Sequence, residues 1–105
     1  MEAVETKVVK VTLKEGRPDW REIHPSKSRH DLVEWTAADK PYQIVFIEKV
    51  LDCGLSFPVE VGSPRTCSLV AEAVVYKGYE YRVRYLTGEP ADLSKEAPPK
   101  IIVDP

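Results

Sequence analysis

The segment Tyr79-Glu80-Tyr81-Arg82-Val83-Arg84-Tyr85 alternates apolar and charged side chains without a break. Successive side chains of a strand point to opposite faces. Such alternation therefore means a strand with one face buried and one in water. A Pro-rich polar loop follows, and the chain ends in Lys100-Ile101-Ile102-Val103-Asp104-Pro105. The apolar triplet between Pro99 and Pro105 predicts a last short strand closing a sheet.

The same signals recur upstream. Thr6–Leu13 is rich in β-branched residues, with Val9, Val11 and Leu13 on one face. Trp20 and Ile23 lie near a short strand, and Leu32–Thr36 predicts another with Val33 and Trp35 on one face. Tyr42–Ile47 is almost continuously apolar, as in a strand covered on both faces or central in a sheet. Residues 48–54 fit a loop or one helical turn. Pro58 makes Ser56–Val61 an edge strand or extended loop, because proline cannot donate to a ladder. Leu69, Ala71, Ala73 and Val75 share a face if Cys67–Val75 is extended, though its alanines also allow a helical turn. Asp92 is a suitable cap for one turn over 92–96 within the loop 87–99. The expected core is Val9, Val11, Val33, Trp35, Ile44, Phe46, Leu69, Tyr81, Val83 and Ile102.

At 105 residues the chain has room for one domain, residues 1–105, and one core. Its 43% hydrophobic content, with two Trp, two Phe and five Tyr, supports a globular core and excludes disorder. Seven to eight short strands, with nine prolines placed largely between them, predict an all-β sandwich of two sheets.

The order of motifs resembles a known family. A β-branched first strand is followed by Val33-Glu34-Trp35, the apolar strand from Tyr42, Phe57-Pro58, Gly78-Tyr79-Glu80-Tyr81 and the terminal Ile101-Ile102-Val103. This resembles the cupredoxin-like fold, a Greek-key β-sandwich of similar length; an immunoglobulin-like sandwich is the alternative arrangement. The resemblance implies a blue-copper centre with one His just after the Trp strand. A Cys, a second His and usually a Met would lie in and around the loop before the last strand. Here Tyr42–Ile47 has no His, Val83 and Tyr85 stand where the Cys is expected, and the loop 87–99 has no Cys, His or Met. The resemblance therefore implies a fold without the copper site, and no cofactor is expected.

Other chemistry is sparse. His24 and His30, joined by Cys53 or Cys67, form the one alternative metal-ligand set, and six residues apart on a loop is not a recognised spacing. Cys53 and Cys67 are separated by thirteen residues. A disulfide would staple the intervening loop, but in a reducing cytoplasm the expectation is two small buried residues. The N-terminus lacks a basic and an apolar signal region, which predicts a cytoplasmic protein if Met1 is the native start. A formal net charge of −2, with acidic residues among Arg21, Lys27, Arg29, Arg82 and Arg84, gives no field for nucleic acid. No apolar run is long enough for a membrane helix. Tyr79, Tyr81 and Tyr85 share the Val83 face and are expected in the core, with Tyr76 exposed. No nucleophile elbow, phosphate loop or His-Glu-x-x-His motif is present. The expectation is a non-enzymatic module that binds a protein partner, through an open sheet edge or the loops 24–31 and 87–99. The alternative is a metal-binding or electron-transfer protein with an atypical copper site.

Overall fold

The computed structural model describes residues 6–91 and 97–105. The expected helical turn over 92–96 lies outside them. Among the described residues nine strands run in the order β1 (Val8–Lys14), β2 (Arg17–Pro18), β3 (Glu22–Ile23), β4 (Leu32–Ala37), β5 (Tyr42–Phe46), β6 (Ser56–Val59), β7 (Arg65–Ser68), β8 (Gly78–Tyr85) and β9 (Lys100–Ile102). One sheet has the order β2-β1-β4-β7 and the other β3-β9-β8-β5-β6. Both are mixed: β1 and β4 run parallel, with Val11 opposite Trp35, and β3 and β9 run parallel, with Ile23 opposite Ile101. The all-β sandwich is as expected.

The core lies between the sheets and follows the period of two. Val11 and Leu13 come from β1, Val33 and Trp35 from β4, Tyr42, Ile44 and Phe46 from β5, Phe57 and Val59 from β6, and Tyr79, Tyr81 and Val83 from β8. Pro58 sits on edge strand β6 opposite Gln43, so its missing N–H removes no ladder bond between paired strands.

Several expectations need correction. Tyr42–Ile47 forms the central strand that the run allowed, β5 lying between β8 and β6, but it is covered on one face only: Tyr42, Ile44 and Phe46 are buried, whereas Ile47 is 81% exposed. Leu69–Val75 is not a strand. The ladder with β4 stops at Ser68 opposite Leu32, and the chain then turns, with Val70 N–H donating to Val50 O and Ala73 N–H to Val70 O. Leu69 and Val9 pack against the core only partly buried. In β9 the buried side chain is Ile101, not Ile102. Ile101 pairs with inward-facing Tyr79, while Ile102 pairs with Gly78 on the outer face. Residues 48–54 contain no helix and end in a turn, with Gly54 N–H donating to Leu51 O.

Cys53 and Cys67 are not free. They form a disulfide with Cα atoms 5.6 Å apart. Asp52 N–H donates to Ser68 O and Val70 N–H to Val50 O, so the 50–53 segment runs along β7 and brings the two cysteines together. Long-range backbone pairing of this kind is not visible in residue spacing.

Trp35→Ala should cost about 3–5 kcal/mol in equilibrium denaturation, because a fully buried large ring leaves a cavity between the sheets. Replacing Cys53 and Cys67 together by Ala should cost about 3 kcal/mol and leave the fold in place, as expected for a cross-link closing a loop of this length. Urea melts of the variants check both.

Candidate functional site

Three loops meet at one end of the sandwich: the β1–β2 turn, the 38–41 connection and the chain leaving β8. Their backbone groups have few ladder partners, and one carboxylate supplies them. Asp39 Oδ2 accepts from Glu15 N–H at 2.9 Å, and its Oδ1 accepts from Lys40 N–H at 2.8 Å. Tyr42 Oη donates to Asp39 Oδ1 at 2.8 Å and accepts from Gly16 N–H at 3.0 Å. These donors hold Asp39 below the usual carboxylate range, the Glu15 N–H foremost and the Tyr42 hydroxyl next. Burial first, and then the Asp39 hydrogen bond, push Tyr42 from its ordinary value near 10 up to about 12.

The chain beyond β8 folds back on this network. Gly88 N–H donates to Tyr85 O, Tyr85 N–H to Glu89 O and Ala91 N–H to Val83 O. Gly16 has φ +80°, and a Cβ there would stand 2.4 Å from Ala91 O. Only glycine fits so close beneath the returning chain. Tyr85 stacks on Tyr42 with centroids 5.7 Å apart, and Lys40 Nζ lies 5.7 Å from the Tyr85 ring.

This end carries the positions at which the cupredoxin resemblance calls for ligands. The start of β5 is Tyr42, whose hydroxyl is committed to Asp39 and Gly16. Val83 is buried and apolar, and Tyr85 is stacked on Tyr42. A blue-copper centre needs a thiolate and two imidazoles. The side chains at these positions are phenols and an isopropyl group, so copper of that kind does not fit them.

The four alternative ligands do not converge elsewhere. His24 is half exposed, with Nε2 3.1 Å from Glu22 Oε1 and Nδ1 3.4 Å from Asp104 Oδ1. His30 has φ 56° in the turn before β4. Cys53 and Cys67 are joined to each other. Among the described residues, the one group of three or more potential ligand side chains is Asp52, Cys53 and Cys67, without either histidine.

The loop 24–31 and the described start of the second loop, 87–91, lie at opposite ends, because the first enters β4 and the second leaves β8 beside the start of β5. The 24–31 loop is a structural clasp. Asp31, 1% exposed, accepts from Lys7 N–H at 3.0 Å, from Ser26 N–H at 2.9 Å and from the Arg29 guanidinium at 2.9 Å. Burial pushes its carboxyl up, but Arg29 and the two backbone donors outweigh burial and hold it at about 2. The loop also holds the last residues: Lys27 N–H donates to Asp104 O and Ser26 Oγ to Pro105 O.

The tyrosines are placed as expected. Tyr79 and Tyr81 are buried, Tyr85 is partly buried in the same register, and Tyr76 is 75% exposed. Glu80, Arg82 and Arg84 point outward from β8. No described helix is long and apolar enough to cross a membrane. Residue spacing did not single out Asp39, Tyr42 or Asp31. The one signal was that Glu15-Gly16 and Asp39-Lys40-Pro41 are both turn clusters, which places a cap-forming Asp near orphan N–H groups.

No protein-family profile matches the chain, and no curated protein sequence does. Solved structures do. An oxidised mutant of amicyanin, a cupredoxin, superposes with a TM-score of 0.63 at 15% identity, over 92% of this chain and 82% of that one. The reduced Cu(I) form of a second amicyanin mutant at pH 4 gives 0.62 at 15% identity, with the same coverage. The chain therefore has the cupredoxin-like β-sandwich fold, and likeness at this identity extends to the fold alone.

Tyr42→Phe should cost about 1–3 kcal/mol, since the buried Gly16 N–H loses its acceptor. The folded state keeps the Tyr42 phenol neutral beyond the unfolded value. Its contribution is full below pH 10 and is lost as pH rises toward 12, a loss that Tyr42→Phe abolishes in alkaline denaturation. Asp31 has the opposite sign. Its contribution is present above the ordinary value of 3.8 and is lost as pH falls through about 2. Asp31→Asn should flatten that acid limb in urea melts taken from pH 5 to pH 2.

Proposed function

We propose that the chain is a copper-free, non-enzymatic β-sandwich module that acts by contact with a protein partner. The observation that carries this reading is the closed end of the sandwich. Tyr42, Asp39 and Gly16 satisfy one another where the family resemblance would call for a ligand, and among the described residues Tyr42, Val83 and Tyr85 offer neither thiolate nor imidazole there. What that end offers outward is a shallow hollow lined by Lys40, Pro41, Tyr85, Leu86, Thr87 and Glu89. Leu86 is 43% exposed and Tyr85 carries the Lys40 ammonium over its ring. An apolar centre with charged residues at its rim is the usual make-up of a protein contact.

Strand addition is the weaker contact mode. Edge strands β2 and β3 have two residues each, and β2 and β6 contain Pro18 and Pro58. Short, proline-bearing edges discourage pairing with another chain. The Cys53–Cys67 bond supports work in an oxidising setting over the reducing cytoplasm expected from the N-terminus.

The alternative, an atypical copper or electron-transfer protein, draws on the fold likeness and on the Cu(I) form of one amicyanin mutant. The dispersal of His24, His30 and the joined cysteines weighs against it.

A photo-crosslinking residue placed at Leu86 should give a discrete protein adduct in host cells, and one at exposed Lys10 should not. Absence of an adduct at Leu86 while the purified protein turns over a small molecule overturns the reading. Titration with Cu(II) should give no intense, stoichiometric visible band; such a band establishes the copper alternative instead.

A further inference from the structure

Asp52 is an exposed residue that points at the disulfide. Its carboxylate and the sulfurs of Cys53 and Cys67 place one ligand atom each within 4.8 Å of one another. The cluster lies on β7 and the segment beside it, away from the Tyr42 end. We infer that Cys53, Cys67 and Asp52 form a redox-gated site for a soft or borderline divalent cation of the zinc class, closed as the disulfide and opened by reduction.

The three ligands are held to different degrees, and each suits its part. Cys67 is fixed in β7 opposite Val33 and is 1% exposed, so one sulfur is anchored. Asp52 is oriented by the backbone: Ser68 N–H donates to its Oδ1 at 2.8 Å, and Asp52 N–H donates to Ser68 O at 2.9 Å. Its second oxygen is left for a cation, and such an outer hydrogen bond is how protein metal ligands are commonly aimed. Cys53 supplies the movement. In a tetrahedral centre with sulfur–zinc bonds of ~2.3 Å, the two sulfurs stand about 3.8 Å apart. Cys53 is only partly buried, and the next residue, Gly54, has φ +101° with open space where a Cβ would stand. That turn can yield while β7 stays in place. Solvent reaches the Asp52 side, which leaves a fourth position for water.

The step balances simply. A dithiol reductant breaks the Cys53–Cys67 bond, passing two electrons and two protons to the sulfurs and leaving as its own disulfide. The cation then forms two sulfur–metal bonds and one bond to an Asp52 oxygen, and the two thiol protons pass to water. Two thiolates select zinc-like or monovalent copper ions over magnesium and calcium, which prefer oxygen ligands.

The test uses the full chain, reduced with a phosphine that does not bind metal through sulfur, and Cd(II) as the spectroscopic probe. Reduced protein should develop an ultraviolet thiolate-to-metal band that saturates at one ion per chain and is unmoved by excess Mg(II). The disulfide form should show no such band. Asp52→Asn should fold with its disulfide intact and, once reduced, bind Cd(II) roughly tenfold to a hundredfold more weakly. Equal affinity of Asp52→Asn and the parent overturns the site, as does a band in the disulfide form or none in the reduced form. The near-ultraviolet signal of the buried aromatics reports the fold throughout. If reduction erases it and Cd(II) does not restore it, the proposal fails as well.

Discussion

Trp35 joins the two sheets. It projects from β4, is fully buried, and meets three rings of the opposite sheet edge-on. Those are Tyr81 at 5.1 Å, Phe57 at 5.8 Å and Phe46 at 6.5 Å between centroids. Edge-to-face contacts set the positive rim of one ring against the negative face of another. They therefore fix the angle between the sheets as well as the burial. Phe46 sits opposite Tyr81 in the β5–β8 ladder, and Ile44 opposite Phe57 in the β5–β6 ladder. Strand register thus determines which rings reach Trp35. Among the described residues its indole N–H has no hydrogen-bond partner. That vacancy costs free energy, and the ring is nonetheless held by its packing.

The alternation that places these rings was legible in the chain. Val33 and Trp35, and Tyr81 and Val83, point inward, because each pair belongs to a run whose polar members can only face water. The reading failed where the sequence is apolar at both parities. In Ile101-Ile102-Val103 either register hides an apolar residue, and the pairing of Ile101 with Tyr79 decides it. In Tyr42–Ile47 the apolar residues Val45 and Ile47 lie on the outer face, so continuity did not mean cover on both sides. In Leu69–Val75 the spacing matched a strand, but the partner strand β4 begins at Leu32, and no ladder remains beyond Ser68.

The candidate sites were less legible for a related reason. The absence of copper-type ligands near Tyr42 and Val83 could be read directly. What occupies that end could not, because Gly16, the Asp39–Tyr42 stretch and Ala91 are far apart in the chain. Only the topology brings them together. The cysteines make the same point. Compartment arguments favoured free thiols, while the backbone pairing of residues 50–53 with β7 sets the two sulfurs at bonding distance.

Both ends of the sandwich solve one problem in the same way. A strand meets its backbone donors with a neighbour, whereas a chain leaving a sheet has N–H groups with no ladder to join, and buried orphans are costly. At one end Asp39 accepts from Glu15 and Lys40, and at the other Asp31 accepts from Lys7 and Ser26. A carboxylate has two oxygens and room for several donors, so one short side chain can replace several missing ladder bonds. The consequence is electrostatic as well as structural. Donors gathered for backbone reasons also stabilise the ionised form, which is why both carboxyls lie below the ordinary value. A third aspartate, Asp52, does the same for Ser68 N–H with only one of its oxygens. Of the three, it alone stands beside a pair of sulfurs with an oxygen that the backbone does not use.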